Sequence, residues 1–369
     1  MRVLLDFRTK PSYAPVIDLV NCLSEKHDVF LIPNKISLPI GLNNNVICCR
    51  DTDVHAVDPD VVFSTHSTLL AIAFLKAKLK LPIVNYMFTH MTLHDFLSAK
   101  FLALPNSYKL GKMLDLLAFS LPKKSLLMPC KLIVPNHMVK KSLIELGFPK
   151  DRIVVLPWGL DVTKYQSQKF SLPTSAFLKN NNDDLIVYTG PLHPLRFSTQ
   201  LLYIFFNVLK QNTDAHLLLL FRKDLWHQRT YKKLVSAIQK LGLGKKVSII
   251  MPSSHEAYLS LVSQATVVIL PYFSSGMVEV PPFTLLECMA LSKPVITSRG
   301  IVTCDIIENG INGFMIPENP SSLADLINFL IFNKRKARHM GQKARMTVQK
   351  KYSLTNFSSK LSHVLESCC

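Results

Sequence analysis

Two glutamates eight positions apart, Glu279 and Glu287, lie in the stretch VEVPPFTLLECMALSKPVIT from Val278 to Thr297. Pro281 and Pro282 fix the backbone for entry into a helix and bring no N–H that would be orphaned there, which predicts a helix starting near Phe283. The first-turn amides of Thr284, Leu285 and Leu286 are then expected to face outward without helical acceptors. Such amides, with the positive end of the helix dipole, can hold a diphosphate, and a carboxylate one turn in can reach back and take two ribose hydroxyls. Glu287 stands at that place, which suits a nucleotide-sugar site. The plainer alternative is an amphipathic helix with a solvated or capping glutamate.

A second place for phosphate chemistry follows the apolar run 185–188, where the chain reads TGPLHPLRFST. Gly190 permits a tight turn, and Arg196, at the start of the next expected helix, can meet phosphate oxygens in bidentate fashion. Arg222 and Lys223 follow another apolar run, 216–221, and are weaker candidates for the same work. Asp51, Thr52 and Asp53 spell an Asp-x-Asp that could hold a metal, but it sits far in sequence from the phosphate candidates, and no metal is assigned. No Walker loop, Gly-x-Gly-x-x-Gly or zinc spacing is present. The eight cysteines are single or in adjacent pairs, as at Cys48–Cys49 and Cys368–Cys369. That usage fits a reducing, cytoplasmic setting with a loose C-terminal tail.

Strand and helix patterns alternate from end to end and so position these groups. Buried-strand runs are expected at 2–7, 29–32, 61–64, 83–86, 132–135 and 153–156, with a helix at 14–26, and alternation of this kind builds a parallel sheet. Residues 169–184 lack periodicity and collect turn formers, which marks a linker. Strands then resume at 185–188, 216–221, 247–251, 267–270 and 295–297. The expected architecture is α/β, with two doubly wound, Rossmann-like domains facing across a cleft: 1–168, and 185–352 carrying the nucleotide side. A last helix from Ser353 packs back on the first domain. Ser253 with Glu256 reads as a capping box before the strand at 267, and Asn319-Pro320 starts a further helix.

The 369 residues carry a net charge of +18 with 18% charged residues, so the chain is folded and basic. Lysines crowd between Lys76 and Lys141, opposed there only by Asp95 and Asp115, and are interleaved with Leu and Phe. This is the footprint of an anionic membrane surface rather than a nucleic-acid groove, and no nucleic-acid partner is expected. The apolar runs 67–84 and 113–129 are interrupted by lysines or Pro122, so peripheral contact and not a span is expected. Met1 to Phe7 leads straight into a strand pattern, so no signal peptide is expected.

The Glu279–Glu287 segment, followed by Cys288, Met289, Ala290 and the Pro294-Val295-Ile296 strand, resembles the Glu-x7-Glu signature of GT-B glycosyltransferases of group 1, family 4. Pro157-Trp158-Gly159-Leu160-Asp161 and the turn Glu308 to Phe314 resemble two further family turns; Gly159 is read as serving a backbone conformation closed to other residues. The resemblance implies a retaining, metal-independent hexosyltransferase with a nucleotide diphosphate sugar as donor substrate and no cofactor. It implies Glu287, Thr284, Leu285, Gly190 and Arg196 on the nucleotide, with Glu279 on the sugar. His90, and less so His66, would lie near the reaction centre. The acceptor is expected to be a carbohydrate or lipid-linked, at the cytoplasmic face of a membrane. Three departures stand out: Pro191 replaces a usual cation, RTKPSYAP has no glycine after the first strand, and Val280-Pro281-Pro282 replaces a Gly-Phe-Gly. The missing cation and the Pro-Pro replacement favour a rival reading, a catalytically silent GT-B scaffold that binds a partner or a nucleotide without turnover, and the retained Glu279, Glu287 and Arg196 oppose it.

Overall fold

In the computed structural model the described residues are 1–6, 14–32, 42–48, 54–65, 79, 81–86, 129–166, 184–192, 199–226, 228–271, 281–299, 303, 305–316 and 321–369. Two compact units emerge. The first holds Met1–Asp161 and Lys351–Cys369 with Glu279–Pro281; the second holds Val162–Val278 and Pro282–Lys350.

The first unit is built on seven parallel strands, β1 (Arg2–Asp6), β2 (Asp28–Ile32), β3 (Val46–Cys48), β4 (Val61–Ser64), β5 (Ile83–Tyr86), β6 (Lys131–Val134) and β7 (Ile153–Val155). Their order is β3-β2-β1-β4-β5-β6-β7. The reversal of winding falls between β1 and β4, paired in parallel with Leu4 opposite Val62. Val3, Leu4, Leu5, Val61, Val62 and Phe63 are fully buried, as strands covered on both faces require. The helices here are α1 (Ala14–Ser24), α2 (Val54–Val57) and α3 (His137–Glu145), the last capped by Asn136, whose side chain accepts from the Val139 amide at 2.8 Å.

The second unit repeats the design with six parallel strands, β8 (Asp184–Leu192), β9 (Ala215–Trp226), β10 (Val247–Ile250), β11 (Val267–Leu270), β12 (Val295–Thr297) and β13 (Phe314–Met315). They run β10-β9-β8-β11-β12-β13, so the switch point lies between β8 and β11. Helices α4 (Gln200–Gln211), α5 (Gln228–Lys240), α6 (His255–Ser263), α7 (Phe283–Ala290), α8 (Ser321–Phe332) and α9 (Lys334–Lys351) complete it. The last helix, α10 (Leu354–Glu366), belongs to the first unit and packs on α1.

Several local expectations change on contact with the fold. Gly159 is not in a left-handed conformation; a Cβ there would lie 2.4 Å from the Ser353 carbonyl oxygen. The glycine therefore permits a close backbone crossing, at which Leu160 N–H donates to Tyr352 O and Leu354 N–H donates to Leu160 O, both at 2.8 Å. Beside the crossing, Trp158 is fully buried, stacked on Phe357 at 4.9 Å and edge-on to Tyr86 at 5.1 Å. The Trp158 amide donates to the Tyr86 hydroxyl at 2.9 Å.

The C-terminal tail is not loose either. Cys368 forms a disulfide with Cys130, whose Cα atoms stand 6.3 Å apart, across a sequence separation of 238. The spacing argument could not see this pair, because only the fold brings the chain end beside β6. The cap of α6 is Ser254, accepting from the Ala257 amide at 3.1 Å, one residue beyond the expected Ser253. In the turn before β13, Gly310 has φ +81° and the Asn312 side chain bonds Glu308 N, Ile306 O and Thr347 Oγ1 at 2.8, 3.0 and 3.0 Å. That turn supports the fold, as its residue types suggest.

Candidate functional site

In doubly wound sheets, ligands meet the loops at the carboxyl ends of strands near the switch point. In the second unit that edge is formed by the ends of β8, β10 and β11. Gly190, expected in a turn, instead lies inside β8, where the pairing with β9 shifts register between Gly190 and Leu192. Its φ is +157°, and a Cβ would come 3.1 Å from the Tyr188 hydroxyl oxygen. A bulge of this kind re-aims the end of a strand, here the one that leads toward Arg196.

Helix α7 begins at Phe283 with Pro282 as its N-cap and no side-chain cap, as the paired prolines predict. Its first amides differ from expectation. Both Leu285 N–H and Leu286 N–H donate to the Pro282 carbonyl, at 3.0 and 3.1 Å. The Leu286 bond is the first ordinary α-helical one, the Leu285 bond is a tighter i→i−3 contact, and Thr284 N–H, on a half-buried residue, is the one of the three still placed for an anion. The rest of α7 is buried through Ala290. At its far end Ser292 takes φ +59°, a region that favours glycine, and Gly341 of α9 admits the Ser292 carbonyl where a Cβ would collide.

Glu287 is 8% exposed. Its Oε1 accepts from Nε2 of His255 at 2.7 Å and from the Tyr165 hydroxyl at 3.3 Å. Two donors on one oxygen hold the carboxylate's orientation and leave Oε2 for a further hydroxyl group. His255 is the first residue of α6, past the carboxyl end of β10, and its ring stacks on Tyr258 at 5.8 Å and 16°. Below it, burial pushes the Tyr258 hydroxyl and the Cys288 thiol well up from their ordinary values. Burial also pulls the Lys293 ammonium down to about 8, while its Nζ donates to the Ala265 carbonyl at 3.1 Å. This segment therefore sits on a polar but dehydrated floor.

Reasoning from the sequence missed His255 and Tyr165. The rule that directs attention to loops after strands would have found His255, one residue past a helix cap. Tyr165 carried no such signal. In the first unit the same edge carries Asp6, Ser64 and Asn85, all buried, with the Ser64 hydroxyl donating to Asn85 Oδ1 at 2.6 Å. These also escaped notice, because each closes or lies within an apolar strand.

Arg196, Glu279, His90, His66, Asp51 to Asp53 and most of the lysine patch lie outside the described residues, as do the side chains of Arg222 and Lys223. Of the patch, Lys131 and Lys140 donate to the carbonyls of Asp151 and Ile153 at 3.0 and 2.6 Å. Lys141 pairs with Glu145 at 3.8 Å. No described helix is long and apolar enough to cross a membrane.

Residues 175–347 match the family model for glycosyl transferases group 1. The chain is 23% identical over 244 residues to an uncharacterized glycosyltransferase of Methanocaldococcus jannaschii, covering 64% of this chain and 59% of the relative. It is 22% identical over 209 residues to the D-inositol 3-phosphate glycosyltransferase of Nocardia farcinica, covering 55% and 45%. The chain thus spans about half the length of the curated relatives it matches. Among solved structures it is similar to Anabaena HepE in complex with UDP and glucose, with a TM-score of 0.71, 16% identity and full coverage of both chains. It is also similar to sucrose-phosphate synthase from Thermosynechococcus elongatus, with a TM-score of 0.72, 14% identity and coverage of 100% and 98%. The likeness to these structures fixes the architecture, and the family match covers most of the unit that carries Glu287. The chain folds as a GT-B protein, and its residues 175–347 are similar to the glycosyl transferases group 1.

Proposed function

We propose that this chain transfers a sugar from a nucleotide diphosphate sugar to an acceptor hydroxyl group. The observation that carries the reading is the Glu287 carboxylate, nearly buried and held on one oxygen by His255 and Tyr165, beside a helix start and near the sheet's switch point. A carboxylate so fixed can take a ribose diol with Oε2, because its rotation is already restricted before ligand arrives. The negative charge that develops on the departing nucleoside diphosphate would be met by the Thr284 amide and by Arg196. Glu279 would hold the transferred sugar, and His90 would line the reaction centre. The complex of HepE with UDP and glucose supports this class of donor.

The finer reading is a family 4 enzyme that retains anomeric configuration and requires no metal or cofactor. Its acceptor is a carbohydrate or a lipid-linked sugar at the cytoplasmic face of a membrane. Turnover requires closure over the donor, with linker residues as hinges.

The test is a thermal-shift panel of UDP-, GDP- and ADP-sugars on wild type and Glu287→Ala, followed by a transfer assay with the stabilising donor. One donor class should raise the Tm of wild type and not of the variant, with transfer lost alongside. A silent scaffold would show no transfer in either protein. Transfer abolished by chelation and restored by a divalent cation would overturn metal independence.

A further inference from the structure

Helix α9 concentrates charge more than any other described element. Its sequence, KRKARHMGQKARMTVQKK, holds eight Lys or Arg and no Asp or Glu. The inner face is apolar and small, with Ala337, Met340, Gly341, Ala344 and Val348 buried. Gly341 lies against the Ser292 carbonyl so closely that no side chain could stand there. This contact locks the helix in rotation, so its outer face is set by the fold. Arg345 turns inward and donates to the carbonyls of Tyr165, Ala290 and Val162. Lys334 pairs with Asp184 at 3.3 Å. Every Lys and Arg of the helix except Arg345 is exposed.

The outermost line runs through Arg335, His339, Lys343, Met346 and Lys350, at steps of three or four residues that keep them on one side of the helix. From Arg335 to Lys350 this line extends roughly 22 Å along the helix. Met346, at 46% exposure, stands among these cations, and Phe332, at 60%, lies at the adjoining end of α8. Phosphate backbones of nucleic acids reward the cations but not an exposed methionine and phenylalanine. An anionic bilayer rewards both, since the charges meet headgroups and the apolar side chains enter the acyl boundary.

We propose that the outer face of α9 docks on an anionic lipid surface. The idea deepens the membrane part of the proposed function and rests on it only there, since donor binding uses other residues. It also supplies a described surface for a contact that the sequence pattern had placed on the first unit, of whose patch only Lys131, Lys140 and Lys141 are among the described residues.

The experiment is co-sedimentation of the full chain with vesicles of phosphatidylcholine alone or mixed with phosphatidylglycerol, at low and high salt. Wild type should bind only the anionic vesicles, and less at high salt. Arg335→Glu, Lys343→Glu and Lys350→Glu combined should lower that partitioning by about tenfold or more. The variant should keep its Tm and any donor-induced shift, which reads the sugar-transfer proposal separately. Should the triple variant fail to fold, Met346→Ser alone decides: it should weaken vesicle binding and leave binding to heparin unchanged. Undiminished vesicle binding in the folded triple variant, or in Met346→Ser, would overturn the proposal. So would binding to duplex RNA tighter than to anionic vesicles.

Discussion

The two units use the same parallel sheet but spend their special residues differently. In the first, the described irregularities gather where the chain's end returns: Gly159 lets backbone cross backbone, Trp158 stacks on Phe357, and Cys130 joins Cys368. In the second, they are the register shift at Gly190, the Pro282 cap of α7 and the bonds from His255 and Tyr165 to Glu287. The lesson is that one architecture can use its irregular residues either to close the chain on itself or to fix a buried polar group. Apolar crossings hold the returning helix, while in the second unit polar side chains from distant elements fix the orientation of one nearly buried carboxylate.

The contrast breaks most sharply at Trp158. Trp158→Ala should cost about 3–5 kcal/mol, read by denaturant unfolding, because the ring is fully buried against two aromatic partners. A loss under about 1 kcal/mol would show that the crossing does not carry the first unit. Next in size, Cys368→Ser should lower stability by about 2–4 kcal/mol under non-reducing conditions and leave the reduced protein unchanged. Peptide mapping after alkylation without reductant checks the pair directly.

The second unit should respond in the opposite manner. Glu287→Gln should change Tm little yet weaken donor binding by about 1.5–3 kcal/mol, as loss of charge-assisted hydrogen bonds does. His255→Ala should produce a smaller loss of the same kind, with His255→Gln partly restoring it, measured by calorimetric titration of the donor. A double-mutant cycle in which the two changes simply add would deny that His255 acts through Glu287.

The smallest effect concerns pH. Burial lowers Lys293 from 10.5 to about 8, so above pH 8 the unfolded chain binds the extra proton and stability should rise with pH. Burial raises Cys288 and Tyr258 above 9.0 and 10.0, so as pH climbs through those values the folded chain keeps protons the unfolded one loses, and stability falls. The expected outcome is a shallow rise in Tm between pH 8 and 9 that reverses at higher pH. Lys293→Met should remove the rise and keep the fall.

Much of the fold was legible because period and punctuation are local. The runs at 61–64, 83–86, 267–270 and 295–297 are strands with those bounds. The paired prolines placed the start of α7 at Phe283. Short strands such as β3 and β13 were missed, since three or two residues carry no readable period. Glu287 was legible through a motif, but its partners come from 122 and 32 positions away and no spacing rule links them. The amide of Leu286 was misread because with Pro282 as N-cap it already makes the first α-helical bond, and that of Leu285 because whether a first turn tightens is decided by backbone geometry after folding.

What the residues alone determined is the alternating grammar of two parallel sheets, the helix entrance at Pro281-Pro282 and the choice of a carboxylate one turn inside it. These follow from local sterics and from side-chain period, which act over a few residues. Only the tertiary structure decided that Gly159 yields to a crossing strand, that Cys368 meets Cys130, that His255 grips Glu287, and which way the cations of α9 face. Each of those depends on a neighbour distant in the chain, and packing, which is a property of the whole fold, is what brings that neighbour into reach.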